Sequence, residues 1–195
     1  MPVMVEGGVP TGIRGRHYWS VARAQGQFGR AGGAGRMEGM GKPVVHVYCD
    51  GACSPNPGWG GWGALLISPA HDGRERELSG AEAGSTNNRM ELTGAIMALR
   101  ALKKPCDVVL HTDSQYVHHA FSKGWLKKWA SNGWQTSAKK PVLNIDLWLE
   151  LVRLAEIHTI EWVWVKGHST NEHHNRCDVL AVEAREALAR EARAG

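Results

Sequence analysis

From residue 44 onward the chain alternates between short apolar runs and longer amphipathic stretches. Val44-Val45-His46-Val47-Tyr48-Cys49 and Val108-Val109-Leu110-His111-Thr112 are β-branched runs, each followed by an aspartate. Each reads as a strand with a carboxylate, Asp50 or Asp113, at its C-terminal end. Gly61 to Ile67 reads as a further strand after the turn-dense segment Asp50 to Gly58, and Arg74 to Ser79 as a third, more polar one near an edge. Ser85 and Thr86 offer caps for a helix through about Leu102, with Met90, Ile96, Met97, Leu99 and Leu102 on its apolar side and Glu91 opening its second turn. Ser114 to Phe121 turns helical, a tryptophan- and lysine-rich stretch follows, and residues 142–157 form another amphipathic helix. Thr159 to Val165 alternates as a strand, and a final Ala/Glu/Arg helix carries Asp178 at its opening.

The order β-β-β-α-β-α-α-α-β-α predicts an α/β fold with a five-stranded mixed sheet flanked by helices. Short connections favour an antiparallel meander for the first three strands. A first strand running parallel to the Asp113 strand then sits at a topological switch point, where such sheets place their ligands. Asp50 and Asp113 become neighbours across one inter-strand spacing of roughly 4.8 Å. Gly58-Trp59-Gly60-Gly61-Trp62-Gly63 matches the dinucleotide fingerprint, but a strand follows where the fingerprint needs a helix, which argues against cofactor binding.

Composition divides the chain. Residues 1–42 are rich in glycine and arginine and sustain no period, so a disordered extension is expected there, with one domain over 43–195. Met37 and Met40 mark a possible alternative start, and a transit leader or a weak nucleic-acid tail are other readings of the same residues. The extension carries six basic and two acidic residues; the remainder has 17 of each, so any polyanion-binding face is a local patch. Four cysteines at no disulfide or zinc-ribbon spacing, and no run approaching the roughly 18 apolar residues of a membrane span, predict a reduced, cytoplasmic protein with no membrane partner. A zinc site from His173, His174 and Cys177 lacks a fourth ligand.

Two carboxylates held as close as Asp50 and Asp113 repel each other, and a divalent cation removes that penalty. Oxygen donors without histidine or thiolate point to magnesium, with manganese as a substitute. With Glu91 and Asp178 added, the set has capacity for two ions, the arrangement suited to in-line displacement at a phosphodiester.

The stretch from about Val44 to Leu188 resembles type 1 ribonuclease H of the bacterial kind. The resemblance rests on Asp50-Gly51-x-Cys53-x-x-Asn56-Pro57-Gly58-x-Gly60-Gly61-x-Gly63, Thr86-Asn87-Asn88-Arg89-Met90-Glu91-Leu92, Thr112-Asp113-Ser114-Gln115-Tyr116-Val117, Trp162-Val163-Trp164-Val165-Lys166-Gly167-His168 and Arg176-Cys177-Asp178. It implies the ribonuclease H fold and cleavage of the RNA strand of RNA/DNA hybrids, leaving 5′-phosphate and 3′-hydroxyl ends, by a monomer. It assigns Asp50, Glu91, Asp113 and Asp178 to metal binding, and to His168 proton transfer or product release. Cys53, Asn56, Asn87, Asn88 and Gln115 match residues that approach the hybrid's minor groove, where 2′-hydroxyls distinguish RNA from DNA. Thr86 resembles a residue that holds a DNA-strand phosphate. The Trp125 to Lys140 stretch is similar to a basic protrusion that grips the DNA strand through Lys127, Lys128, Lys139 and Lys140, with Trp125, Trp129 and Trp134 either a platform or internal packing. Two departures stand out: Ser169-Thr170 replaces a small Ala-Gly or Ser-Gly pair, and His174 stands where the family usually has asparagine. A hybrid-binding module without catalysis, or a nuclease of the same fold acting on DNA, are the alternative readings.

Overall fold

The computed structural model describes residues 41–195. The extension expected over 1–42 lies outside the described residues except for its last two, and Lys42 Nζ donates to Thr159 Oγ1 at 3.0 Å. The strands are β1 (Val44–Ser54), β2 (Gly58–Ser68), β3 (Arg74–Ser85), β4 (Asp107–Thr112) and β5 (Thr159–Trp164). The helices are α1 (Asn87–Arg100), α2 (Gln115–Ser122), α3 (Trp125–Ser131), α4 (Ile145–Ile157) and α5 (Glu172–Ala194). The sheet order is β3-β2-β1-β4-β5. Strand β1 pairs antiparallel with β2 and parallel with β4, so the mixed sheet, the meander and the switch point are as the pattern predicts.

Several boundaries differ from the sequence reading. Asp50 does not end β1, because Gly51 to Ser54 continue the ladder against Trp59 to Trp62. Backbone hydrogen bonds carry this hairpin, so it forms without an apolar run. Strand β3 likewise extends six residues past Ser79. Helix α4 starts at Ile145, after Asn144 at φ 58°. Helix α5 starts at Glu172, where Asn171 accepts from the His174 backbone N–H at 3.1 Å; Asp178 therefore sits in its second turn and does not open it.

The main core lies on one face of the sheet. Val45, Val47, Cys49, Val108 and Leu110 meet Leu92, Ala95, Ile96 and Leu99 of α1, with Trp148, Leu151 and Leu154 of α4 closing the layer. Helix α5 covers the other face across β3, β2 and β1. It lies very close there: a Cβ on Gly63 would run into the Cys177 carbonyl oxygen, and one on Gly61 into that of Ala181. The side chains Gly lacks are what let α5 approach the sheet.

Candidate active site

The register between β1 and β4 pairs Tyr48 with His111. Continued by two residues, it sets Asp50 opposite Asp113. Both face the α5 side, since alternate residues share a face. Glu91 arrives from the other side, on α1. It reaches the same place because Gly51 has no Cβ; one built there would lie 2.5 Å from the Glu91 backbone nitrogen. Asp178 comes from the second turn of α5. Asp50, Glu91, Asp113, Asp178 and His168 all line one cleft of about 290 Å³, together with Cys53, Asn87, Val182 and Arg185.

The acids are unequally solvated. Asp50 is 6% exposed and Glu91 4%, whereas Asp113 and Asp178 are half-buried. Burial, then the charge of Asp113, pushes the Asp50 carboxyl up to about 6. Burial, then Asp50 and Asp113, pushes Glu91 well above the usual carboxylate range. Asp50 Oδ1 accepts from the Gly51 N–H at 2.7 Å, and Glu91 Oε1 from Asn87 Nδ2 at 3.4 Å. Glu91 Oε2 is buried without a partner. An orphaned carboxylate oxygen beside two clustered aspartates fits a hard divalent ion, which would satisfy the oxygen and cancel the repulsion.

One member of the cluster was not legible as such. His174, 2% exposed, brings Nε2 to 3.5 Å from Asp113 Oδ1, and one ligand atom from each of Asp50, Asp113 and His174 lies within 4.8 Å of the others. The contact is an ion-pair distance without the alignment of a hydrogen bond. Burial works against a charge on the imidazole, but the carboxylates of Asp113, Asp50 and Asp178 outweigh it and hold His174 above its ordinary value. Arg185 is the second unforeseen residue, the single guanidinium lining the cleft among the described residues. Both were open to discovery by helix phase: 174, 178 and 185 follow the i, i+4 and i+11 spacing of one face once α5 is extended back to Glu172.

The loop after β5 is fastened at both ends. Val165 N–H donates to Thr112 O and Trp164 Nε1–H to Asp113 O, each at 3.0 Å. A Cβ on Gly167 would strike Asp113 Oδ2, so this glycine lets the loop pass directly over the carboxylate. His168 follows, exposed and at φ 48°. Asn175 Nδ2 then donates to Ser169 O at 2.8 Å, tying the loop to α5.

The other candidates divide between the cleft rim and a second region. Asn56 Oδ1 accepts from Asn87 N–H at 3.3 Å, joining the β1–β2 turn to the start of α1, and Asn88 is exposed beside it. Cys53 Sγ contacts the carbonyl oxygens of Pro55 and Ser85, each at 3.3 Å. Thr86 Oγ1 caps α1 by accepting from Arg89 N–H at 3.3 Å. Gln115 is exposed at the first position of α2. The tryptophans lie largely inward. Trp129, 9% exposed, contacts Trp125, Trp134 and the core Trp148 with ring centroids 5.5 to 6.3 Å apart, whereas Lys127, Lys128, Lys139 and Lys140 are exposed.

Residues 42–186 match the RNase H family. The chain belongs to the ribonuclease H family. It is 57% identical over 140 residues to the ribonuclease H of Chlorobium phaeobacteroides, covering 72% of this chain and 94% of that one. The ribonuclease H of Moorella thermoacetica is 56% identical over 147 residues, covering 75% and 95%. Among solved structures, LC9-RNase H1, a type 1 RNase H with the type 2 active-site motif, matches at 32% identity and a TM-score of 0.67, covering 75% of this chain and 74% of that one. LC11-RNase H1 in complex with an RNA/DNA hybrid has the same fold at 20% identity and a TM-score of 0.58, covering 74% and 99%. The ribonuclease H domain thus accounts for nearly all the described residues. Among these, no helix is long and apolar enough to cross a membrane.

Proposed function

We propose that this chain cleaves the RNA strand of RNA/DNA hybrids endonucleolytically, with Asp50, Glu91, Asp113 and Asp178 holding two magnesium ions, or manganese in their place. The observation that carries this reading is the convergence of four carboxylates, two of them nearly sealed from water, in one cleft. When bound, the ions supply charge neutralisation and activation of water for in-line displacement, with 5′-phosphate and 3′-hydroxyl ends as the products.

The chain's own residues do the rest. Asp50 and Glu91 are held in place by burial and by the Gly51 and Asn87 donors, so they meet substrate already oriented. His168, exposed on its loop over Asp113, exchanges a proton with the departing oxygen or assists release of the product. Cys53, Asn56, Asn87, Asn88 and Gln115 read 2′-hydroxyls along the rim, which a DNA strand leaves unpaired. Thr86 and the lysines at 127, 128, 139 and 140 hold DNA-strand phosphates, while the tryptophans at 125, 129 and 134 chiefly stiffen the segment that bears the lysines. One chain supplies the whole set, which supports a monomer, and its four free cysteines are in keeping with the cytoplasm.

The deciding experiment offers a 5′-labelled RNA/DNA hybrid and duplex DNA of the same sequence to the protein, with magnesium or with chelator. The expected result is a ladder of RNA fragments from the hybrid in magnesium alone. Intact RNA where a mobility shift shows binding overturns catalysis and leaves a binding module; cut duplex DNA overturns the substrate assignment.

A further inference from the structure

His168 holds a left-handed backbone, φ 48°, which a residue other than glycine keeps only where its surroundings fix it. On the strand side they do: Val165 N–H donates to Thr112 O, and Gly167 lies against Asp113 Oδ2 with no room for a Cβ. On the helix side the backbone is held at Ser169, by two groups from the start of α5. Asn175 Nδ2 donates to Ser169 O at 2.8 Å, and the Asn171 N–H reaches Ser169 Oγ at 3.5 Å. The first bond is much the shorter, and it grips the main chain of the residue that directly follows His168.

We propose that Asn175 is a positioning residue, whose amide holds His168 over the cleft by anchoring Ser169 to α5. Asn175 is exposed at the end of the helix's first turn, where propensity alone favours alanine. Helical side chains lean toward the N-terminus, so from this position the amide is aimed back at the loop. Asp178 follows at i+3, a neighbour on the helix surface, so the stretch of α5 that sets this acid in the cleft also carries the anchor. The segment bearing His168 is thereby fixed against Asp113 on one side and against the helix of Asp178 on the other. The consequence for turnover rests on the hydrolytic reading of the cleft, in which His168 serves the departing oxygen or the product; the anchoring itself does not.

The test pairs turnover with backbone amide nitrogen relaxation in the full-length Asn175→Ala protein, an exposed substitution that favours the helix. With an RNA/DNA hybrid in magnesium, kcat is expected to fall about three- to tenfold, with KM changed less than about twofold. In a His168→Ala background the same substitution should change kcat less than about twofold, because Asn175 acts only through the imidazole. Relaxation of residues 167–170 should show new motion, while that of residues 176–181 stays as in wild type. A wild-type protein that leaves the hybrid intact removes the hydrolytic reading alone, and relaxation then decides whether Asn175 anchors the loop. The proposal is overturned by full kcat in Asn175→Ala, or by equal losses of kcat in the two backgrounds, which would mean that Asn175 acts through α5 and Asp178. Loop relaxation unchanged by Asn175→Ala overturns it equally.

Discussion

His174 Nε2 lies 3.5 Å from Asp113 Oδ1, on an imidazole almost wholly withdrawn from water. Among the described residues this is the nearest cationic partner of the clustered acids, and it comes from their own fold. Removing it leaves the repulsion among Asp50, Asp113 and Asp178 to be offset by divalent ions alone. The His174→Asn protein should therefore melt several degrees below wild type in chelator, and magnesium should raise its Tm by more than it raises that of wild type. Equal magnesium-induced shifts in the two proteins would show that His174 does not balance the cluster.

Asp113 is flanked by His174 and by the Gly167 backbone, and its own carbonyl accepts from Trp164 Nε1–H. Asp113→Asn keeps the side chain's shape and removes its charge. Hydrolysis of the hybrid is expected to fall below detection, while hybrid affinity stays within about tenfold, since phosphate contacts dominate binding. Turnover at the wild-type rate would refute its assignment as a ligand.

What the sequence made legible follows from which forces leave a pattern. The β-branched runs before Asp50 and Asp113 announce buried strands, and the switch point then dictates that these acids meet. Gly51 to Ser54 gave no such signal, because ladder hydrogen bonds hold that hairpin and ladders are blind to side chains. The start of α5 was hidden for a related reason. Asn171-Glu172-His173-His174 is polar throughout, so hydrophobic period finds nothing, although the asparagine cap was there to read. His174 and Arg185 stayed unassigned because their roles depend on helix phase, which only the true start of α5 fixes.

Gly63 sets the distance between α5 and the sheet, and α5 carries both Asp178 and His174. A methyl group at Gly63 meets the Cys177 carbonyl and lies within 3.0 Å of the Ala181 nitrogen, both helix backbone that cannot swing aside. Overpacking of this kind costs roughly 1–3 kcal/mol, or about 3–10 °C in Tm for a domain of this size. Gly63→Ala should lose that stability, and at a temperature where it is folded it should also lose at least tenfold in kcat, because Asp178 is displaced with the helix. Full kcat with a lowered Tm would show that the helix moves without carrying the acid.

Among the described residues, Arg185 places the one guanidinium in the cleft that holds the four carboxylates. A cation there attracts a phosphate of the incoming strand and opposes none of the chemistry assigned to the acids. Arg185→Gln is expected to raise KM for the hybrid about three- to tenfold with kcat changed less than twofold, and to make KM less sensitive to salt. An unchanged KM would reduce Arg185 to a packing residue on α5.

His158 supplies a pH dependence that is independent of the acid cluster. It is buried, and its Nδ1 accepts from the Cys106 N–H at 3.2 Å, so the fold holds it neutral. Burial, then the charge of Lys42, lowers its pKa below the ordinary value near 6.5. The unfolded chain therefore binds the proton first as pH falls. Stability from this group is full above about pH 6.5 and is lost progressively below it, as it is for His111, which burial and then His46 bring down to about 4. His158→Asn keeps an acceptor for Cys106 and cannot titrate. Between pH 7.5 and pH 5.5 the Tm change of the variant should differ from that of wild type by roughly 2–4 °C in favour of the variant at the lower pH, the other titrating groups being common to both proteins. Identical losses in the two proteins, followed by circular dichroism in chelator, would show that His158 is not held neutral by the fold.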